Sequence, residues 1–189
     1  TGAVLNALNT RLDGESIAFM LDHGEAKVLI VDREFSPTIK AALALCKAKP
    51  LVIDVDDAQW SGAGERLGQQ DYEAFIAGGD PAHAWRTPED EWEAIALNYT
   101  SGTTGFPKGV ILTHDMMLRT AFGSAWARGF EDARRILFSL PLYHVYGYVE
   151  GLLACMFVGG AIIPQTRFDA KDTLAAIETH QATDILLIP

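Results

Sequence analysis

Cysteine is scarce in this chain: two residues, Cys46 and Cys155, in 189. They are far apart in sequence, and nothing in the pattern supports a disulfide between them. Each lies in an apolar helical pattern, so two buried free thiols are expected, in a reducing compartment that we read as the cytoplasm. Basic residues are outnumbered, 15 Lys and Arg against 25 Asp and Glu, for a formal net charge of −10. That balance argues against a nucleic-acid binder, which needs a basic face, and against attachment to an anionic membrane surface. A small anionic ligand stays compatible, because loop amides and one Lys can dominate the field locally. Long hydrophobic runs are missing too. The longest, "YVEGLLACMFVGGAII" at 148–163, is broken by Glu150 and by Gly159 and Gly160. It reads as a buried helix running into a strand, so no transmembrane segment is expected. His23, His83, His114 and His180 show no metal-ligand spacing and read as surface or cap residues, so no resident metal site is expected. The opening "TGAVLNALNT" has neither Met nor a basic n-region. No signal peptide is expected, and part of the protein is expected to precede Thr1. No repeat and no low-complexity tract is visible.

Hydrophobic residues make up 49% of the chain, enough for a sizeable core. Asp13 is placed to cap a helix whose Ile17, Met20 and Leu21 share a face, with Gly24 at its stop. "KVLIVD" at 27–32 is a continuous apolar run, as in a strand buried on both faces. Ser36 and Pro37 read as cap and first helical residue of a helix to about Cys46, and "PLVIDVDD" as a second strand. Residues 58–91 are rich in Gly, Pro and charge and read as surface connections around a short helix near Tyr72–Ile76, with acid pairs such as Asp56 and Asp57 in solvated turns. Regular patterning resumes in "AIALNYTS" and "GVILTH", followed by a helix capped by Thr113. A second rhythm follows: strand 135–142, helix 146–158, strand "AIIP", a helix capped by Asp169 with Leu174 and Ile177 inward, and a last strand "DILLIP". Alternation of this kind predicts α/β architecture with mostly parallel sheets flanked by helices.

Between two of these strands lies "YTSGTTGFPKGV", residues 99–110. Backbone N–H groups of a Gly-rich turn can surround a phosphate, hydroxyls add donors, and Lys adds a mobile positive charge. The familiar nucleotide P-loop requires Gly, four residues, then Gly-Lys-Ser/Thr. Counting from Gly102, the later positions hold Pro107, Lys108 and Gly109, so a kinase or GTPase reading fails. A polar hairpin turn is the plain structural alternative.

The stretch resembles the phosphate-binding signature of the adenylate-forming superfamily of acyl-CoA synthetases, luciferases and peptide-synthetase adenylation domains. "GAVLNALNTRLDGESIAFMLDHGEAKVLIVD" is similar to the upstream part of fatty-acyl- and medium-chain acyl-CoA ligases, and "LPLYHVYGYVEG" at 140–151 to their Pro-aromatic-His-x-x-Gly motif. The resemblance covers essentially the whole chain. It implies parts of two α/β lobes of the family's N-terminal domain, incomplete here, with residues 1–130 in the first lobe and 131–189 beginning the second. It implies a fragment of an acyl-CoA synthetase that joins a carboxylic acid, a fatty acid by this likeness, to ATP and passes the acyl group to CoA, with Mg²⁺ as cofactor. Thr100, Ser101, Gly102, Thr103, Thr104, Gly105 and Lys108 would line the β,γ-phosphates. His144 would position the carboxylate, with Tyr143, Tyr146 and Gly147 shaping the pocket wall. A lone His can equally be a core residue satisfied by backbone.

The family's adenine-binding segment with its Mg²⁺ carboxylate, its ribose-binding Asp and its adenylation Lys have no counterpart in these 189 residues. No catalytic residue is therefore assigned, and the piece alone is expected to be inactive. Other readings are a fatty-acyl-AMP ligase, an adenylation domain, or a non-catalytic nucleotide-binding module that self-associates, as a homo-oligomer, through open sheet edges.

Overall fold

The computed structural model describes residues 2–100 and 107–188. The chain divides into two compact units, Leu8–Thr87 with Tyr99–Gly109, and Thr1–Ala7 with Pro88–Asn98 and Val110–Pro189.

In the first unit, α1 (Gly14–His23) starts where Asp13 accepts the Ser16 N–H and stops at Gly24. Strand β1 (Val28–Asp32) follows, then a 3₁₀ turn over Arg33–Phe35. After it come α2 (Ser36–Leu45), β2 (Leu51–Val55), β3 (Gln70–Asp71) and α3 (Tyr72–Ala77). β1, β2 and β3 form a parallel sheet in that order, with Ile30 opposite Ile53. Ile17, Ala18 and Leu21 of α1 pack with Leu29 and Val31 of β1 and with Ile39 and Ala42 of α2. This covers one face only. Val28 and Ile30 point the other way and stay 48% and 50% exposed, so β1 alternates and the expected two-sided burial is not met.

Ser36 does not cap α2. The preceding turn is capped by Asp32, which accepts from the Glu34 N–H. The Ser36 hydroxyl, buried, instead accepts the Glu65 N–H at 3.0 Å. Asp54 does more of the same work. It is 1% exposed, and its carboxylate accepts the N–H groups of Leu67 and Gly68 at 3.0 and 2.8 Å. The connection read as surface is thus tied to β2 from inside. Asp56 lies between Arg33 and Arg66 as their ion-pair partner and is not simply solvated; the Arg33 contact, at 2.7 Å, is an ion pair without hydrogen-bond alignment.

Asp22 accepts the Lys47 and Ala48 N–H groups at 2.8 and 2.7 Å just beyond α2. Those two backbone donors, Ala48 foremost, hold its carboxyl below the usual range, and the Ser16 N–H does the same for Asp13. A lowered folded-state pKa gives stability that is present above the unfolded value of about 3.9 and is lost as pH falls through the folded value. The stability gap between the unaltered protein and Asp22→Asn is therefore expected to shrink as pH drops below about 4, measured by chemical denaturation across pH. A gap independent of pH would contradict this role.

Strands β4 (Ala94–Thr100) and β5 (Lys108–Thr113) pair with each other, and Leu5 bridges to Ala96. In the second unit, α4 (His114–Ala127) begins at Thr113, whose hydroxyl accepts the Met116 N–H. Then come β6 (Arg135–Phe138), a π-helix over Tyr146–Leu153, α5 (Ala154–Phe157), β7 (Ala161–Pro164), α6 (Ala170–His180) and β8 (Asp184–Leu186). β6 is the middle strand of a parallel sheet in the order β7-β6-β8. Ile136, Phe138, Cys155 and Leu186 form its core. Asp169 caps α6 as expected, but Leu174 is 69% exposed. The helix turns Thr173 inward instead, its hydroxyl donating to Gln165 at 2.9 Å. Among the described residues, no helix is long and apolar enough to cross a membrane. Both cysteines are buried free thiols, as expected, and burial pushes the Cys155 thiol up.

Candidate functional site

Ser101, Gly102, Thr103, Thr104 and Gly105 lie outside the described residues. Thr100 ends β4 and Lys108 begins β5, so the hydroxyl and the ammonium sit on paired strands, both exposed to solvent. Tyr99, one residue before Thr100, is held by a contact that sequence reasoning missed. Its hydroxyl and His23 Nδ1 are 2.8 Å apart, and Phe19 stacks on the His23 ring. His23 is in the last turn of α1. The one sequence signal was an aromatic four residues before a His on a helix, which puts the two on one face. Burial raises the Tyr99 phenol, and which partner donates in this contact is set by the His23 tautomer.

The His144 segment is built by backbone. The His144 N–H donates to the Pro141 carbonyl at 3.2 Å, and the His144 carbonyl accepts from Gly147 and Tyr148 at 2.9 and 3.1 Å. The Tyr146 N–H donates to His144 Nδ1 at 3.2 Å. A backbone N–H can only donate, so the neutral ring carries its proton on Nε2. The ring is exposed, not a core histidine. Nε2 thus carries the ring's N–H and is its donor. Tyr146 packs against the Ile136, Phe138, Cys155 and Leu186 core, and Tyr143 is half-buried. Gly147 is buried where a Cβ would come within 2.3 Å of the Pro141 carbonyl oxygen. The structure therefore brings His144, Tyr146 and Gly147 together in one turn.

That turn opens the π-helix, a widened form that appears in short pieces, frequently at functional sites. A plain helix was expected over 146–158. Gly151 lies against the Phe138 ring, 3.1 Å from where its Cβ would be. Arg128, at the C-terminal end of α4, pairs with Glu150 at 3.3 Å and also donates to the Glu150 carbonyl and to the Ser124 hydroxyl. Its guanidinium lies 4.5 Å over the Phe130 ring. Glu150, read from sequence as a break in an apolar run, is thus a half-buried anchor. Among the described residues no cluster of His, Cys, Asp or Glu is arranged to hold a metal ion, so Mg²⁺ is assigned to no side chain.

Comparison with known proteins gives the family and the fold. The family model described as "AMP-binding enzyme" matches residues 1–189. An acetate/butyrate–CoA ligase of Arabidopsis thaliana is 35% identical over 201 residues, covering all of this chain and 35% of its own length. A 2-methylpropanoate–CoA ligase of Humulus lupulus is also 35% identical with the same coverage, as is a peroxisomal trans-cinnamate:CoA ligase of Petunia hybrida. The chain thus spans about a third, 35%, of the length of these curated relatives. Among solved structures, an anthranilate CoA ligase in complex with anthranoyl-AMP superposes with a TM-score of 0.80 at 24% identity, over 97% of this chain and 35% of that one. An O-succinylbenzoate coenzyme A synthetase of Bacillus subtilis, in complex with ATP and magnesium ion, gives 0.73 at 25%, over 96% and 33%.

Proposed function

Because the chain belongs to the AMP-binding enzyme family, we propose that it is the part of an acyl-CoA ligase that grips the phosphates of ATP and receives the acid. In that reaction a carboxylate oxygen attacks the α-phosphorus of ATP and expels pyrophosphate; CoA thiolate then attacks the acyl carbon and AMP leaves. A carboxylate approaching a polyanion needs positive charge and fixed donors. Thr100 and Lys108 supply a hydroxyl and an ammonium on neighbouring strands, and Ser101, Gly102, Thr103, Thr104 and Gly105 would complete the grip between them. His144 orients the acid. The observation that carries this reading is the occupied Nδ1, which leaves Nε2–H as the outward donor. Tyr143, Tyr146 and Gly147 form the adjoining wall. Mg²⁺ would neutralise phosphate charge when bound; among the described residues no cluster of His, Cys, Asp or Glu is arranged to hold it.

The acid is the finer question. Fatty acids follow from the sequence resemblance, while relatives named for acetate, butyrate and 2-methylpropanoate favour short aliphatic acids. We place this substrate at the short aliphatic end. Residues 1–130 would belong to the first lobe of the complete domain and 131–189 to the second. Cytoplasmic residence accords with two buried free thiols, although two of the relatives are named as peroxisomal.

Carboxylate-dependent ATP–pyrophosphate exchange by the full-length protein, across acids from acetate to long-chain and cinnamate, is the test. Exchange with CoA thioester formation supports the ligase reading. Exchange without thioester moves the protein to the acyl-AMP ligases or adenylation domains, and ATP binding without exchange moves it to a non-catalytic, self-associating module. Lys108→Ala is expected to raise the ATP KM about tenfold or more, because a charge-assisted phosphate contact contributes about 1.5–3 kcal/mol. Unchanged ATP kinetics would remove Lys108 from the phosphate grip.

A further inference from the structure

Tyr148 stands two residues past the wall residue Tyr146, and the family motif gives it no role. Its ring is 8% exposed and packs with Met117 and Val149, alongside Ile95 of β4 and Leu112 of β5. A phenylalanine would fill that space equally well. What tyrosine adds is a hydroxyl, and a buried hydroxyl left unpaired is costly. Two acceptors lie within its reach, the Asn98 side-chain oxygen on β4 at 3.4 Å, a long hydrogen bond, and the Met117 sulfur at 4.0 Å, the weaker acceptor of the two. Burial keeps the phenol neutral and hence a donor.

The other end of the same residue faces the acid side. The Tyr148 N–H donates to the His144 carbonyl at 3.1 Å. One residue therefore joins the turn that carries His144 to a sheet strand. Two residues on, Glu150 fastens the same π-helix to Ser124 and Arg128 of the α4 segment. The π-helix has no side-chain cap hydrogen bond at its start, so these contacts to other elements are what ties its first turns to their surroundings.

We propose that Tyr148 is a positioning residue for the acid: its hydroxyl, anchored on Asn98, fixes the first turn of the π-helix and so fixes where His144 presents Nε2–H. Tyr148 does not touch the substrate and acts through His144. The inference rests on the reading of His144 as the carboxylate donor.

The experiment uses the full-length protein, pyrophosphate exchange with its best acid, and thermal unfolding. Tyr148→Phe removes one oxygen and keeps the ring. The acid KM is expected to rise about twofold to threefold, the equivalent of a hydrogen bond at the weak end of the range, with the ATP KM and the thermal midpoint nearly unchanged. Asn98→Ala breaks the same bond from the strand side and is expected to reproduce the effect, and the double variant to be no worse than either alone. An unchanged acid KM in Tyr148→Phe overturns the proposal. So does a parallel rise of both KM values with a fall in thermal midpoint, which marks a structural role only. Additive single effects overturn it as well. If the unaltered protein exchanges with no acid, the ligase reading fails and this inference with it; if it exchanges and the variants match it, only the positioning role fails.

Discussion

Gly147→Ala is expected to reduce acid-dependent exchange at least about tenfold and to lower the thermal midpoint, because overpacking a tight site costs about 1–3 kcal/mol or more. A Cβ at this position would lie 2.3 Å from the Pro141 carbonyl oxygen, 2.9 Å from the Pro141 carbonyl carbon and 3.3 Å from the Leu140 oxygen. All three are backbone atoms and cannot swing aside as a side chain can. The backbone at Gly147 is not left-handed, so the demand is for space alone. The Pro141 carbonyl also accepts the His144 N–H, so any displacement is delivered to the histidine. Gly123→Ala is the matched control. No atom lies within 4 Å of its Cβ position on α4, and alanine in a helix interior is expected to stabilise by about 0.5–1 kcal/mol. If Gly147→Ala keeps full exchange and an unchanged midpoint, the close approach at Gly147 has no consequence for the site.

Asp54→Ala is expected to destabilise the protein by about 2–4 kcal/mol, since it leaves two backbone N–H groups without their acceptor in a dry site. The carboxylate is 1% exposed and takes both the Leu67 and Gly68 amides. A Cβ on Gly68 would meet the Val52 carbonyl oxygen at 2.3 Å, so the segment lies hard against β2 and cannot drift to find water. Asp54→Asn keeps one acceptor oxygen and is expected to lose roughly half as much. Denaturant titration of the variants measures both, and a loss under about 0.5 kcal/mol for Asp54→Ala would show that water replaces the carboxylate.

Elements whose signals are local were legible in the sequence. Asp13, Thr113 and Asp169 each cap the helix expected of them, because a cap is decided by side chain and backbone within three residues. Alternating strands and helices gave the parallel sheets for similar reasons. Failures came where a distant group competed. Ser36 looked like a cap, but Asp32 had already started a turn and Glu65, far along the chain, claimed the hydroxyl. Leu174 looked inward on helical spacing, yet Gln165 drew Thr173 to that face. "KVLIVD" looked buried on both sides because hydrophobic runs do not state which face a helix covers; α1 and α2 cover one. At the candidate site, the motif marked His144 and Gly147, while the contacts of Tyr148 with Asn98 and of Glu150 with Arg128 join separate elements with no shared spacing to reveal them.

The two cysteines are distributed one to each compact unit, Cys46 beyond α2 and Cys155 in α5. Each thiol is shielded, 4% and 0% exposed, and each sulfur faces a backbone carbonyl, of Ala48 or Ala161. An alkylating reagent reaches either only when its own unit opens. The labelling rate at each thiol therefore reports how often the structure around that sulfur opens, a readout the chain carries at two separate places.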